Sequence, residues 1–207
     1  MTGRLPDDYF AGLYAGAEDP WSLQSRWYER RKYAITTAVL PHPRYRHAFE
    51  PGCSVGVLTE LLAARCDRVT STDVAQPALD ATRRRLIGAG AQDRVRLVRQ
   101  SVDEPWPEMD FDLVVLSEVC YYLHPATLRA VLDREIPRLS PGAIVLAAHW
   151  RHPVAEYPMT GDEATDLIDR TPGLHPLGGY RDADVAVGVW DTGSADSVAT
   201  RTEVPGA

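Results

Sequence analysis

The chain has 207 residues, 44% of them hydrophobic and 25% charged, as expected for one globular domain. Its formal net charge of −7, from 22 basic and 29 acidic residues, argues against the basic face that extended contact with nucleic acid or an anionic membrane needs. No run approaches the roughly 18 apolar residues of a membrane span; Met1 to Asp8 lacks the apolar stretch of a secretory signal; and Cys53, Cys66 and Cys120, without C-x-x-C spacing, read as reduced thiols of a cytoplasmic protein.

Residues 1–46 read as an aromatic helical segment. Asp19-Pro20-Trp21 marks a turn and a helix start, with one or two helices over 21–40. Arg30-Arg31-Lys32 is a short basic cluster within it. From 47 to 192 the pattern alternates. Strands are expected near 47–50, 69–72, 95–99, 111–116 and 143–148, and helices near 56–65, 77–88 and 125–138. Pro77 and Pro125 suit first helical positions, and Gly88 and Gly90 suit a helix end. Leu113 to Leu116 is an unbroken apolar run, the mark of a central parallel strand covered on both faces. Thr160-x-x-Glu163 is a capping-box pattern that starts a helix reaching Asp169. A short hairpin fits 174–180 and 185–191. Residues 193–207 are small and polar and read as a disordered tail. Repeated βαβ units with right-handed crossovers imply an α/β, doubly wound, mostly parallel sheet in a single domain spanning 1–192.

The most informative stretch is Ala48-Phe49-Glu50-Pro51-Gly52-Cys53-Ser54-Val55-Gly56, followed by Asp73 at the end of the second strand. Two glycines four apart allow a sharp strand–helix turn and close approach of a ligand. An acid ending the second strand is placed to hold a ribose diol. A dinucleotide fold calls for G-x-G-x-x-G with a pyrophosphate over the helix N-terminus. Here the pattern is E-x-G-x-S-x-G, and a carboxylate at Glu50 would repel a pyrophosphate while suiting a ligand with an ammonium and a sulfonium. S-adenosylmethionine (SAM) is such a ligand, and the stretch resembles the first motif of class I SAM-dependent methyltransferases. In such open sheets ligands lie beyond the carboxyl ends of the strands. Glu50 and the turn from Gly52 through Ser54 to Gly56 would take the amino-acid part of SAM, Asp73 the ribose, and Val74 a face of the adenine. Family members often place an acid after the third strand. Here Ser101 and Val102 occupy that place, or the acid has slipped to Asp103. Phe111-Asp112-Leu113-Val114-Val115-Leu116-Ser117-Glu118 resembles the fourth-strand motif. Asp112 has a structural role in that reading, and Ser117 and Glu118 border the sulfonium. Glu118 either serves the acceptor or caps the helix that follows. Tyr121 and Tyr122 either line the acceptor pocket or pack that helix.

A wider set belongs together: Asp19-Pro20-Trp21, Trp27-Tyr28-Glu29-Arg30-Arg31-Lys32-Tyr33, Glu50 to Gly56, Leu116-Ser117-Glu118-Val119 with Tyr121-Tyr122-Leu123, and His149-Trp150-Arg151-His152-Pro153. It resembles the nodulation protein S (NodS) family of SAM-dependent N-methyltransferases over roughly residues 5 to 191. The resemblance implies a seven-stranded Rossmann-like sheet ending in an antiparallel hairpin, with residues 1–46 as a lid over SAM. It implies cofactor contacts from Trp21 and Arg31, S-adenosylhomocysteine as product, and a small-molecule acceptor such as the amine of a deacetylated glucosamine unit. Transfer would be direct and in line, without a covalent enzyme intermediate. His149, at the end of the fifth strand, is the leading candidate base, and Glu118 the second. An O-methyltransferase would share the fold but need a stronger base or a metal, and no metal-ligand spacing of acids and histidines is visible. A dinucleotide oxidoreductase lacks support because the third glycine is missing. A SAM-binding protein without turnover would keep the same binding residues. The sequence does not fix the oligomeric state.

Overall fold

The computed structural model describes residues 3–107 and 110–206. Seven strands form one sheet: β1 (Tyr45–Pro51), β2 (Cys66–Asp73), β3 (Val95–Arg99), β4 (Leu113–Ser117), β5 (Ile144–Trp150), β6 (His175–Arg181) and β7 (Val185–Asp191). Their order is β3-β2-β1-β4-β5-β7-β6. The first five are parallel, and β7 runs antiparallel between β5 and β6. The fold is the doubly wound α/β sheet expected from the sequence. The strand order reverses between β1 and β4, which opens a crevice at their carboxyl ends. The helices are α1 (Asp7–Gly16), α2 (Trp27–Ala38), α3 (Val57–Arg65), α4 (Gln76–Gly88), α5 (Pro125–Glu135), α6 (Gly161–Asp169) and α7 (Val198–Arg201). No helix among the described residues is long and apolar enough to cross a membrane.

The apolar runs of β1 and β4 make sense as strands covered on both faces. Successive side chains point to opposite faces. Phe49, Val114 and Leu116 pack on one side with Trp106, Phe111, Leu128 and Leu132. Ala48, Leu113 and Val115 pack on the other with Leu58, Leu62 and Leu86. Asp112 accepts hydrogen bonds from the backbone of Arg46 and His47, each at 2.9 Å, and so ties the start of β4 to β1. That is the structural role expected of it.

Four local expectations change. No helix starts at Trp21: Asp19 accepts from the backbone N–H groups of Leu23 (2.9 Å) and Gln24 (3.0 Å), Ser22 turns left-handed at φ 57°, and α2 begins only at Trp27. Strand β2 starts three residues earlier than expected, at Cys66. Helix α5 yields to a 3-10 turn over Ile136–Arg138, where Pro137 removes a donor. The segment after 192 carries a short helix placed against the sheet: Ser197 caps α7, and Arg201 Nη1 lies 2.6 Å from the buried Asp191 carboxylate. The capping box at Thr160 and Glu163 is present as expected.

Candidate active site

The crevice at the switch point is a cavity of about 400 Å³, lined from both the sheet and the N-terminal segment. Its floor is the turn after β1. Gly52 (φ 76°) and Gly56 (φ 77°) are left-handed, and Ser54 between them is too (φ 48°). The N–H groups of Gly52 and Cys53 both donate to Thr72 O, at 2.7 and 3.0 Å, which pins the turn to β2. A Cβ at Gly52 would stand 3.2 Å from Val119, and one at Gly56 would stand 2.8 Å from Thr82 on α4. Gly52 and Ser54 border the cavity, whereas Gly56 does not. The second glycine therefore serves helix packing, a correction to its expected ligand contact.

Asp73 ends β2 at the cavity edge. Its Oδ2 accepts from Ser54 N at 3.0 Å and its Oδ1 from Ala75 N at 2.9 Å. Burial pushes this carboxyl up to about 6, against the pull of those backbone donors. Glu50 is fully buried, and its Oε2 accepts from Thr59 Oγ1 (2.6 Å) and Ser71 Oγ (2.8 Å). Burial pushes it up to about 7. Two desolvated carboxylates thus face one cavity and favour a ligand that brings positive charge or hydroxyl donors. Val74, Ser101, Val102 and Ser117 also line it. Asp103 does not: it is held by the Ser101 hydroxyl and by Arg4, 3.0 Å away.

Trp21 lines the cavity, edge-on to Tyr14 at 5.8 Å. Tyr14 in turn shares a 2.7 Å hydrogen bond with Ser54 Oγ. Arg31, expected beside it, lies elsewhere. Its guanidinium donates to Asp182 (2.8 Å) and to Tyr180 OH (2.5 Å), locking α2 to the β6–β7 turn. Glu118, Tyr121 and Tyr122 border the cavity, so the two tyrosines line it and pack at once.

His149 also departs from expectation. It is completely buried and is not among the residues lining the cavity. Thr165 Oγ1 donates to Gly161 O at 2.9 Å, so the 2.9 Å contact between Thr165 and His149 Nδ1 makes Nδ1 the donor. Nε2 is then a bare acceptor with no partner among the described residues. Burial holds the imidazole neutral, down to about 4. In this arrangement the ring packs between β5 and α6 and is committed to Thr165, outside the cavity that a base would have to face. His149→Ala is therefore expected to lower the melting temperature and to leave cofactor affinity and the acid limb of the pH–activity profile in place, as thermal melts and rate profiles would show.

Sequence reasoning missed much of the N-terminal wall. Tyr28, Glu29, Lys32 and Tyr33 all line the cavity. Their spacing of one, three and one is a single face of α2. That periodicity was available, but its mixed polar character does not read as a buried face.

A family model described as nodulation protein S (NodS) matches residues 14–155. The chain belongs to the nodulation protein S family. It is 36% identical over 128 residues to nodulation protein S of Rhizobium tropici, covering 61% of this chain and 52% of that protein. The chain thus spans about half the length of this curated relative. A crystal structure from Pseudomonas syringae, described as that of a "putative Methyltransferase", is 37% identical, with TM-score 0.67, over 80% of this chain and 99% of that one. The N-methyltransferase NodS of Bradyrhizobium japonicum WM9, solved in complex with S-adenosylhomocysteine, is 20% identical and shares the fold at TM-score 0.76, over 89% and 96% of the two chains.

Proposed function

We propose that this NodS-family chain is a SAM-dependent methyltransferase acting on the amine of a small acceptor, an amino-sugar unit being the first class to test. The observation that carries the reading is the pairing, in one cavity, of the Glu50 and Asp73 carboxylates with a left-handed glycine turn. That donor set fits the group: carboxylates for an ammonium, a sulfonium and a ribose diol, and a Gly52 backbone with no side chain in the way. Glu50, Gly52 and Ser54 would hold the amino-acid part, Asp73 the ribose, Val74, Ser101 and Val102 the adenine, with Trp21 over the site and Ser117 beside the sulfonium. When bound, SAM supplies an electrophilic methyl to the lone pair of the acceptor nitrogen, and S-adenosylhomocysteine is the product.

The remaining work of the chain is alignment and exclusion of water, where fixed geometry supplies several kcal/mol. Neither Lys32 nor Glu118 suits proton removal near neutrality, and Glu29, whose carboxyl burial raises, is tied to Lys32 Nζ at 2.7 Å. Lys32 is held charged, pushed up to about 12 by Glu118 and Glu29 against the desolvation that opposes it. Despite its burial, Glu118 is lowered by Lys32, Tyr121 and Trp150. The acceptor therefore reacts from its own free-base fraction, and the acid limb of the rate profile follows the acceptor's amine pKa.

The test is calorimetric titration with S-adenosylhomocysteine, with NAD⁺ in parallel, followed by methyl transfer to glucosamine. Micromolar binding of the first alone is expected. Binding of NAD⁺ alone, or of neither, would overturn the reading.

A further inference from the structure

Lys32 belongs to a run of three basic residues, yet it turns inward and is 2% exposed. Lysine is almost never so buried unless paired. Its Nζ lies 2.7 Å from Glu29 Oε2 and 2.8 Å from Glu118 Oε1. It also lies 5.5 and 4.9 Å from the ring centroids of Tyr28 and Tyr33. Glu118 itself adopts φ 57°, uncommon without a glycine, and its N–H is anchored on Ala148 O at 2.8 Å. Its Oε2 accepts from Tyr121 OH at 2.5 Å and Trp150 N at 2.8 Å. A carboxylate offers about four lone-pair sites. Three are filled, and the fourth lies on Oε1 of a side chain that borders the cavity and keeps 20% of its surface open.

The walls around that oxygen are aromatic. Tyr28 meets Trp150 edge-on at 5.1 Å, and Tyr121 stacks on Tyr157 at 5.1 Å, and all four line the cavity. At the contact itself two carboxylates meet one ammonium, and the Arg26 guanidinium acts on Glu29 from farther off. Aromatic faces beside a charged acceptor favour a cationic or N–H-bearing nitrogen and disfavour an anion.

We propose that Lys32 is a positioning residue: by holding Glu118 in place as a carboxylate with one lobe open to the cavity, it makes this end the docking site for the amine of the acceptor. The proposal rests on the methyltransferase reading only in naming that amine as the methyl acceptor. The groups facing Glu118 are Tyr28, Glu29, Lys32 and Tyr33 from α2, Tyr121 and Tyr122 from the turn after β4, and the neutral His149 from β5. Lys32 is the cation in contact with Glu118, whereas Arg26, just ahead of α2, acts on Glu29 without touching Glu118. Without it, Glu118 and Glu29 would lose the ammonium between them, and the pair would take up a proton more readily as pH falls.

Matched probes test this by calorimetry on protein saturated with S-adenosylhomocysteine: benzylamine against benzyl alcohol, and glucosamine against glucose. In the wild type at least one amine should bind about tenfold or more tightly than its hydroxyl counterpart, evenly from pH 5 to 7.5, because a charged partner strengthens the hydrogen bond. In Lys32→Met the amine affinity should drop about tenfold between pH 7.5 and 5, one pKa unit of protonation being a factor of ten. Lys32→Arg should stay level, and Glu118→Gln should lose the amine preference. A wild type without that preference, or a Lys32→Met protein as level as the wild type, would overturn the proposal. If Lys32→Met does not fold, Glu118→Gln decides, and retained preference there overturns it. Failure of S-adenosylhomocysteine to bind counts against the proposed function instead, and the same probe comparison on the free protein then decides this one.

Discussion

Asp73→Ala is expected to weaken S-adenosylhomocysteine binding about ten- to a hundredfold, on the scale of roughly 1.5–3 kcal/mol for hydrogen bonds to a charged group. The expectation rests on how the carboxylate is spent within the protein. Ser54 N and Ala75 N anchor one oxygen each, at 3.0 and 2.9 Å, and the Val74 backbone also pulls on the carboxylate. The lone pairs that these backbone donors leave open suit the hydroxyls of a ribose. The sign with pH follows. Burial raises this acid to about 6, so the fold favours its protonated form, and its contribution to the stability of the free protein falls as pH rises from about 4 to about 6. A ligand that donates to the ionised form reverses that preference. Affinity should therefore be greatest above pH 6 and fall as pH drops through it. Asp73→Asn, which keeps one accepting oxygen, should lie between wild type and alanine. Titrations at pH 5 and 7.5 check both points, and unchanged affinity in Asp73→Ala would remove the ribose assignment.

What the sequence reveals here depends on how local the cause is. The strands around Ala48–Phe49 and Leu113–Leu116 are legible because two-sided burial writes an unbroken apolar run. The glycine turn is legible because left-handed φ values leave few residue choices. Lys32 is not: a lysine after two arginines reads as a solvated face, and only the arrival of Glu118, 86 residues away, makes it a buried cation. Arg31 misleads for the same reason, since its partner Asp182 lies 151 residues on. His149 shows a subtler failure. The capping box predicts α6 but not where it docks. A Cβ at Gly161 would fall on Trp150 O and 2.8 Å from His149 Cβ, so the helix starts directly against β5 and seals the imidazole away from the cavity.

Phe49→Ala should have the largest effect on stability, and it links the core to the site. Phe49 is completely buried beside Glu50, stacked on Phe111 at 5.0 Å and tilted against Trp106 at 5.1 Å. Truncating a buried phenylalanine costs about 3–5 kcal/mol, from lost transfer energy and the cavity left behind. At roughly 2–4 °C per kcal/mol for a domain of this size, the melting temperature should fall by about 6–20 °C. The neighbours cannot close the gap easily, because Phe111 carries the His47 ring on its other contact at 4.6 Å and β1 is held in register by β2 and β4. Glu50 points to the opposite face of the same strand, so slack at Phe49 reaches the carboxylate through one peptide unit. Cofactor affinity should then fall in Phe49→Ala although the substituted side chain lies outside the cavity. Phe49→Leu, which keeps most of the volume, should restore affinity before it restores the full melting temperature. A Phe49→Ala protein that melts as the wild type does would mean that the packing around β1 is looser than its burial indicates.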